Sequence, residues 1–100
     1  MELNKLYHFV LKELRVPPNV IYLSGDRTDS VTAKYARAIF CRVAKKLGHK
    51  AVDIGDYLSR EETTVNNDVR ALRALDTRDD FLSRAIVEGY RDILTKTKKA

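Results

Sequence analysis

Cysteine, proline and long apolar runs are scarce in this 100-residue chain, and each scarcity removes a class of protein. Cys41 has no second cysteine, so an internal disulfide is impossible and a reducing cytoplasm is the expected compartment. The two prolines, Pro17 and Pro18, are adjacent, and the four glycines are scattered, so no linker, repeat or low-complexity segment emerges. No apolar run approaches the roughly 20 residues of a membrane-spanning helix. MELNKLYHFVLKEL mixes charges with apolar residues too finely for a signal peptide. His8 and His49 lie in different segments and form no zinc-like spacing with Cys41, so no metal or other cofactor is expected. There is no Gly-rich phosphate loop and no nucleophile motif. Asp53, Asp56, Asp79 and Asp80 fall near helix starts, where the helix dipole favours carboxylates over a catalytic pairing. The expectation is a protein that is not an enzyme.

What remains is an ordinary globular composition, 44% hydrophobic and 33% charged, enough for one small core across residues 1–100. The charge is uneven. Residues 1–50 carry ten Lys/Arg against four Asp/Glu, a balance of +6, and residues 51–100 carry nine against ten, a balance of −1. Between Ser30 and Val52 lie Lys34, Arg37, Arg42, Lys45, Lys46 and Lys50 without an acid. Such a cluster suits phosphates, whose neutralisation releases counterions, and suits equally a solvated helix face.

Apolar spacing gives only helices. Leu3, Leu6, Tyr7, Val10, Leu11 and Leu14 form a stripe over 2–15, which Pro17-Pro18 ends before a short helix from Asn19 to Leu23. SGDRTDS, residues 24–30, is a loop. Asp29 or Ser30 caps a long helix through Leu47 with Tyr35, Ala36, Ile39, Phe40, Val43, Ala44 and Leu47 inward, stopped by Gly48. A short helix spans Ala51 to Leu58. Ser59 and Glu62 have the spacing of a capping box, which starts the next helix at Arg60 with Val65, Val69, Leu72 and Leu75 on one face. Asp76 or Thr77 caps a last helix whose stripe is Phe81, Ala85, Ile86, Tyr90, Ile93 and Leu94. The fold expected is all-α, a compact multi-helix domain with a central helix-turn-helix at residues 51–75. Ile54 and Val65 share a contact across its turn, and the small Gly55 sits where its helices approach.

The order VPPNVIYLS, a polar loop, AKYARAIFCRVAKKL, IGDYLSREETTV and a terminal helix resembles the C-terminal DNA-binding domain (domain IV) of the bacterial replication initiator DnaA. That domain is a Trp-repressor-like helix-turn-helix, and the resemblance covers nearly the whole chain. Its sharpest piece, IGDYLSREETTV, is similar to the family signature I-G-[DE]-x-F-G-G-R-D-H-T-T-V. Ile54, Gly55, Asp56, Arg60, Thr63, Thr64 and Val65 match it, Glu61 replaces its aspartate, and Arg37 falls where the family has an arginine early in its long helix. The turn is one residue shorter, and Glu62 and Asn67 stand where the family has histidines. The loop holding Arg27 carries Asp26 and Asp29 where the family's loop is basic.

The resemblance implies a protein that binds double-stranded DNA in replication or transcription control, associated with the nucleoid. It does not imply the initiator's own binding sequence. Thr63 and Thr64 are short donors near a helix start, suited to a base edge, a thymine methyl or a phosphate. Arg60 suits a phosphate or a guanine, and Glu61 can accept from cytosine N4. Asn66 and Asn67 can pair with adenine, Lys34, Arg37 and Lys45 can clamp the DNA backbone, and Arg27 can enter the minor groove. For each, the competing reading is structural: packing or capping for the threonines, solvated surface for the rest. A second hypothesis follows from Glu61 and Glu62: a protein-interaction module that kept the fold and lost DNA binding, its residues 60–71 facing a protein partner with a basic patch.

Overall fold

The first helix, α1 (Leu3–Leu14), follows its apolar stripe, burying Leu6, Tyr7, Val10 and Leu11, and Arg15 closes it in the left-handed region. The structure, a computed structural model, describes residues 1–15 and 31–99. The expected helix at 19–23, the loop 24–30 and the cap at Asp29 or Ser30 lie outside the described residues. The fold among the described residues is all-α, with α2 (Val31–Lys46), α3 (Ala51–Leu58), α4 (Glu62–Ala74) and α5 (Phe81–Lys99) following α1.

At the centre lies α2, which packs against the other four helices. Its sequence explains the position. From Ala36 to Ala44 the buried residues are Ala36, Ala38, Ile39, Phe40, Cys41, Arg42, Val43 and Ala44, far wider than the single stripe of a surface helix. Tyr35 and Leu47 are only half-buried. Gly48, at φ 101°, stops the helix in the left-handed region that disfavours a side chain. The Tyr7 ring meets Phe40 and Tyr57 at 5.8 and 5.6 Å, and the Tyr57 hydroxyl donates to Asn4 Oδ1 at 3.0 Å, which ties α1 to α3.

Two helix starts differ from the sequence reading. The capping box of Ser59 and Glu62 does not form. Ser59 closes α3 instead, at φ 56° and ψ 42°, and the extended backbone that an N-cap needs falls on Glu61, which makes no side-chain cap bond. Helix α4 therefore begins at Glu62, two residues after Arg60. A 3-10 turn, Leu75–Thr77, separates α4 from α5, and the cap of α5 is Asp80 rather than Asp76 or Thr77. Asp80 Oδ2 accepts from the Ser83 backbone N–H at 3.0 Å, and the Ser83 hydroxyl returns to Asp80 Oδ1 at 2.9 Å. That cap fixes the phase of α5, which buries Ser83, Val87, Tyr90, Ile93 and Thr97. Phe81, expected inside, is 87% exposed, Ala85 is exposed, and Ile86 and Leu94 only line the core's edge.

Candidate nucleic-acid interface

Helices α3 and α4 meet across the three residues Ser59, Arg60 and Glu61. Ile54, Leu58 and Val65, each no more than 2% exposed, form the contact between the helices, and Val69 and Leu72 continue it toward α2. A fully buried aliphatic side chain of this kind contributes about 2 kcal/mol. Gly55 lets the turn fold back this far. Its carbonyl accepts from the Arg60 N–H at 2.8 Å, and a Cβ on Gly55 would lie 2.7 Å from the Arg60 carbonyl oxygen. The Glu61 carbonyl then accepts from the Thr64 N–H at 3.0 Å and starts α4.

With Val65, Val69 and Leu72 inward, the opposite face of α4 turns to solvent. Glu61, Glu62, Thr63 and Asn67 are exposed, and Arg60, Thr64 and Asn66 are half-buried. Farther along the same face Arg70, Ala71 and Ala74 are also exposed. Glu62 stands in the first turn of α4, where the helix dipole favours a carboxylate.

The arginines of α2 point elsewhere. Arg37 Nε donates to Asp68 Oδ2 at 2.6 Å and its Nη2 to Oδ1 at 3.2 Å, with 24% and 17% of the two side chains exposed. Arg37 is thus committed to α4, and Asp68 is turned from the solvent face of α4 toward α2. Five residues farther along α2, Arg42 grips Asp76, just beyond α4, with Nη1 to Oδ1 at 2.9 Å and Nη2 to Oδ2 at 2.7 Å. Partners that advance together in sequence show that α2 and α4 run the same way, so the first turn of α2 and the first turn of α4 share one end of the pair. Lys34 lies in that first turn, though its side chain lies outside the described residues. Lys45 is exposed in the last turn of α2, about 12 Å past Arg37 at 1.5 Å per residue. Arg27 lies outside the described residues. The site residues read from the sequence therefore separate: Arg60, Glu61, Thr63, Thr64 and Asn67 gather at the start of α4, Arg37 is held by Asp68, and Lys45 belongs to the other end of the helix pair.

Asp68, Arg70 and the small outward pair Ala71 and Ala74 were missed. Asp68 had a signal, since an acid three residues after Val65 and next to Val69 borders the buried stripe and calls for a cation. Arg70 had one too: it stands seven residues after Thr63 and three after Asn67, spacings that return to the same helix face.

Cys41, Asp76 and Tyr90 are shifted by their packing. Burial pushes the Cys41 thiol well above its ordinary range, which leaves it protonated and inert as a nucleophile. The hydrogen bonds from Arg42 hold the Asp76 carboxyl below the usual carboxylate range, and burial raises the Tyr90 phenol. Among the described residues no three His, Cys, Asp or Glu side chains converge as metal ligands, and no helix is long and apolar enough to cross a membrane. No protein-family model and no curated protein matches the chain.

Proposed function

We propose that this chain binds double-stranded DNA, presenting α4 to the major groove as the second helix of a helix-turn-helix, and that it acts in replication or transcription control without catalysing a reaction. The observation that carries the reading is the solvent face of α4. Thr63 and Asn67 stand exposed on a helix whose other side is locked by Val65, Val69 and Leu72, with Asn66 and Thr64 at the flanks. A helix of about 10–12 Å diameter fits a groove about 12 Å wide, and short hydroxyl and amide side chains near its start reach base edges. The sequence resemblance to the DNA-binding domain of DnaA supports the same face, because Arg60, Thr63 and Thr64 match its signature.

The acids weigh less against DNA than the bare sequence suggested. Asp68 is neutralised by Arg37 and turned from the groove-facing side, so Glu61 and Glu62 are the carboxylates left on the exposed start of α4. Glu61 can accept from cytosine N4. This weakens the case for a purely acidic protein-docking surface at residues 60–71.

The test is a gel shift at low salt with a pool of random duplexes. Retention is expected, falling steeply as salt rises from about 50 to 200 mM because phosphate contacts release counterions. Arg60→Ala and Thr63→Ala should each weaken it about fivefold or more. If the intact chain retains no duplex at low salt, the reading is wrong.

A further inference from the structure

Several of the arginines whose side chains the structure describes are held in ion pairs. Arg37, Arg42, Arg78 and Arg84 each meet an aspartate within 3.5 Å. Arg70 differs from these. It is exposed near the middle of α4, and no hydrogen bond or ion pair joins it to any other described residue. It occupies the same side of the helix as Thr63 and Asn67: at 3.6 residues per turn the three fall within an arc of about 60°. The side chains next along that face are Ala71 and Ala74, which place little bulk between the helix and a surface laid against it.

We propose that Arg70 is a specificity-determining residue that reads guanine, at the base pair next to one where Asn67 reads adenine. The inference rests on the duplex-binding reading above and extends it from a DNA surface to a sequence preference. Arginine meets the O6 and N7 acceptors of guanine with two donors, as Asn meets N6 and N7 of adenine. Three residues of helix advance about 4.5 Å, close to the roughly 3.4 Å step between stacked base pairs. Asn67 and Arg70 therefore address neighbouring pairs, with Thr63 one turn earlier. A phosphate would attract Arg70 too, but from the far flanks of a recognition helix, whereas Arg70 lies within about 50° of the centre of the face opposite Val65, Val69 and Leu72. Alanines at 71 and 74 permit that approach, where longer side chains would hold the helix off.

The experiment is a selection from random duplexes, read by sequencing, with the full chain and with Arg70→Ala and Arg70→Lys. Their melting temperatures are measured in parallel to show that these exposed substitutions leave the fold intact. The expected wild-type motif contains a guanine adjacent to an adenine. Arg70→Ala should flatten the guanine position and lower affinity for the selected site about tenfold or more while sparing the other positions. Arg70→Lys should keep much of the affinity and lose part of the preference for guanine, since one flexible ammonium replaces a planar fork. An unchanged motif with a uniform loss of affinity, and a salt slope smaller by about one, would make Arg70 a phosphate contact and overturn the proposal while leaving duplex binding in place. A wild-type chain that retains no duplex overturns both.

Discussion

The Arg42 guanidinium meets the Asp76 carboxylate through two parallel hydrogen bonds, at 2.9 and 2.7 Å, and lies 4.3 Å from the centre of the Tyr90 ring. One side chain from the central helix thereby joins the end of the candidate reading helix to α5. Burial of Arg42 leaves 10% of its side chain exposed, and its Nε has no hydrogen-bond partner among the described residues. The aspartate and the ring are thus what compensates the charge. Asp76→Ala should cost about 3 kcal/mol in urea unfolding, because it strands a buried guanidinium. Arg42→Met combined with Asp76→Ala should cost less than Asp76→Ala by itself, since it removes the stranded charge and keeps the bulk. Equal losses in the two variants would show that the ion pair is incidental to the packing.

The same pair sets a pH dependence. Arg42 holds the Asp76 carboxyl below its ordinary range, so in acid the unfolded chain binds this proton more readily than the folded one. The stabilisation is complete above the unfolded carboxylate value of about 3.9 and is lost as the pH falls through the depressed value. Asp80, whose carboxyl the Ser83 N–H and hydroxyl hold low as well, titrates on the same acid limb. The informative measurement is therefore the gap between wild type and Asp76→Asn. That gap should be constant from neutral pH down to about 5 and then narrow steadily. A gap that keeps its width into acid unfolding would dissociate Asp76 ionisation from stability.

Local signals carried the middle of the chain, and long-range ones did not. Helix α3 falls on Ala51–Leu58 as expected because Gly48 and Ser59 punctuate both ends. The inward set of α4 follows directly from the spacing of Val65, Val69 and Leu72. The start of α4 was misread because the S-x-x-E spacing makes a capping box only on extended backbone, and Ser59 is left-handed. The phase of α5 was misread because apolar content favoured Phe81, whereas the Asp80–Ser83 cap turns Ser83 inward and Phe81 out. Periodicity sets Arg37 outward as a free cation, whereas its partner Asp68 lies 31 positions away on another helix, beyond the reach of any periodicity. The exposed start of α4 was legible from the signature and the stripe together; which arginines stay available to a ligand was not, because that depends on pairing between helices.

Ser59 offers a direct gain in stability. A non-glycine residue in the left-handed region carries a cost of about 1 kcal/mol that glycine avoids, and Ser59, exposed at φ 56°, has no side-chain hydrogen bond to another described residue in return. Ser59→Gly should raise the melting temperature by several degrees, with duplex affinity unchanged because the turn keeps its shape. A lowered melting temperature would mean that the serine side chain anchors the turn.

Two glycines inside helices should respond to the same substitution with opposite signs. A Cβ at Gly89 meets nothing within 4 Å, so Gly89→Ala only improves helix propensity and should stabilise by about 0.5–1 kcal/mol. A Cβ at Gly55 would lie 2.7 Å from the Arg60 carbonyl oxygen, and backbone held in a turn cannot swing aside as the end of a side chain can. Gly55→Ala should cost about 2 kcal/mol, as overpacking does. The relief must come from moving Arg60 and Glu61, the residues that launch α4, and that motion shifts Thr63 on the exposed face of α4 proposed to meet DNA. Gly55→Ala should therefore weaken duplex binding even at temperatures where it remains fully folded, whereas Gly89→Ala should not. Equal melting shifts in the two variants, measured side by side by circular dichroism, would remove the close approach on which the geometry of the turn depends.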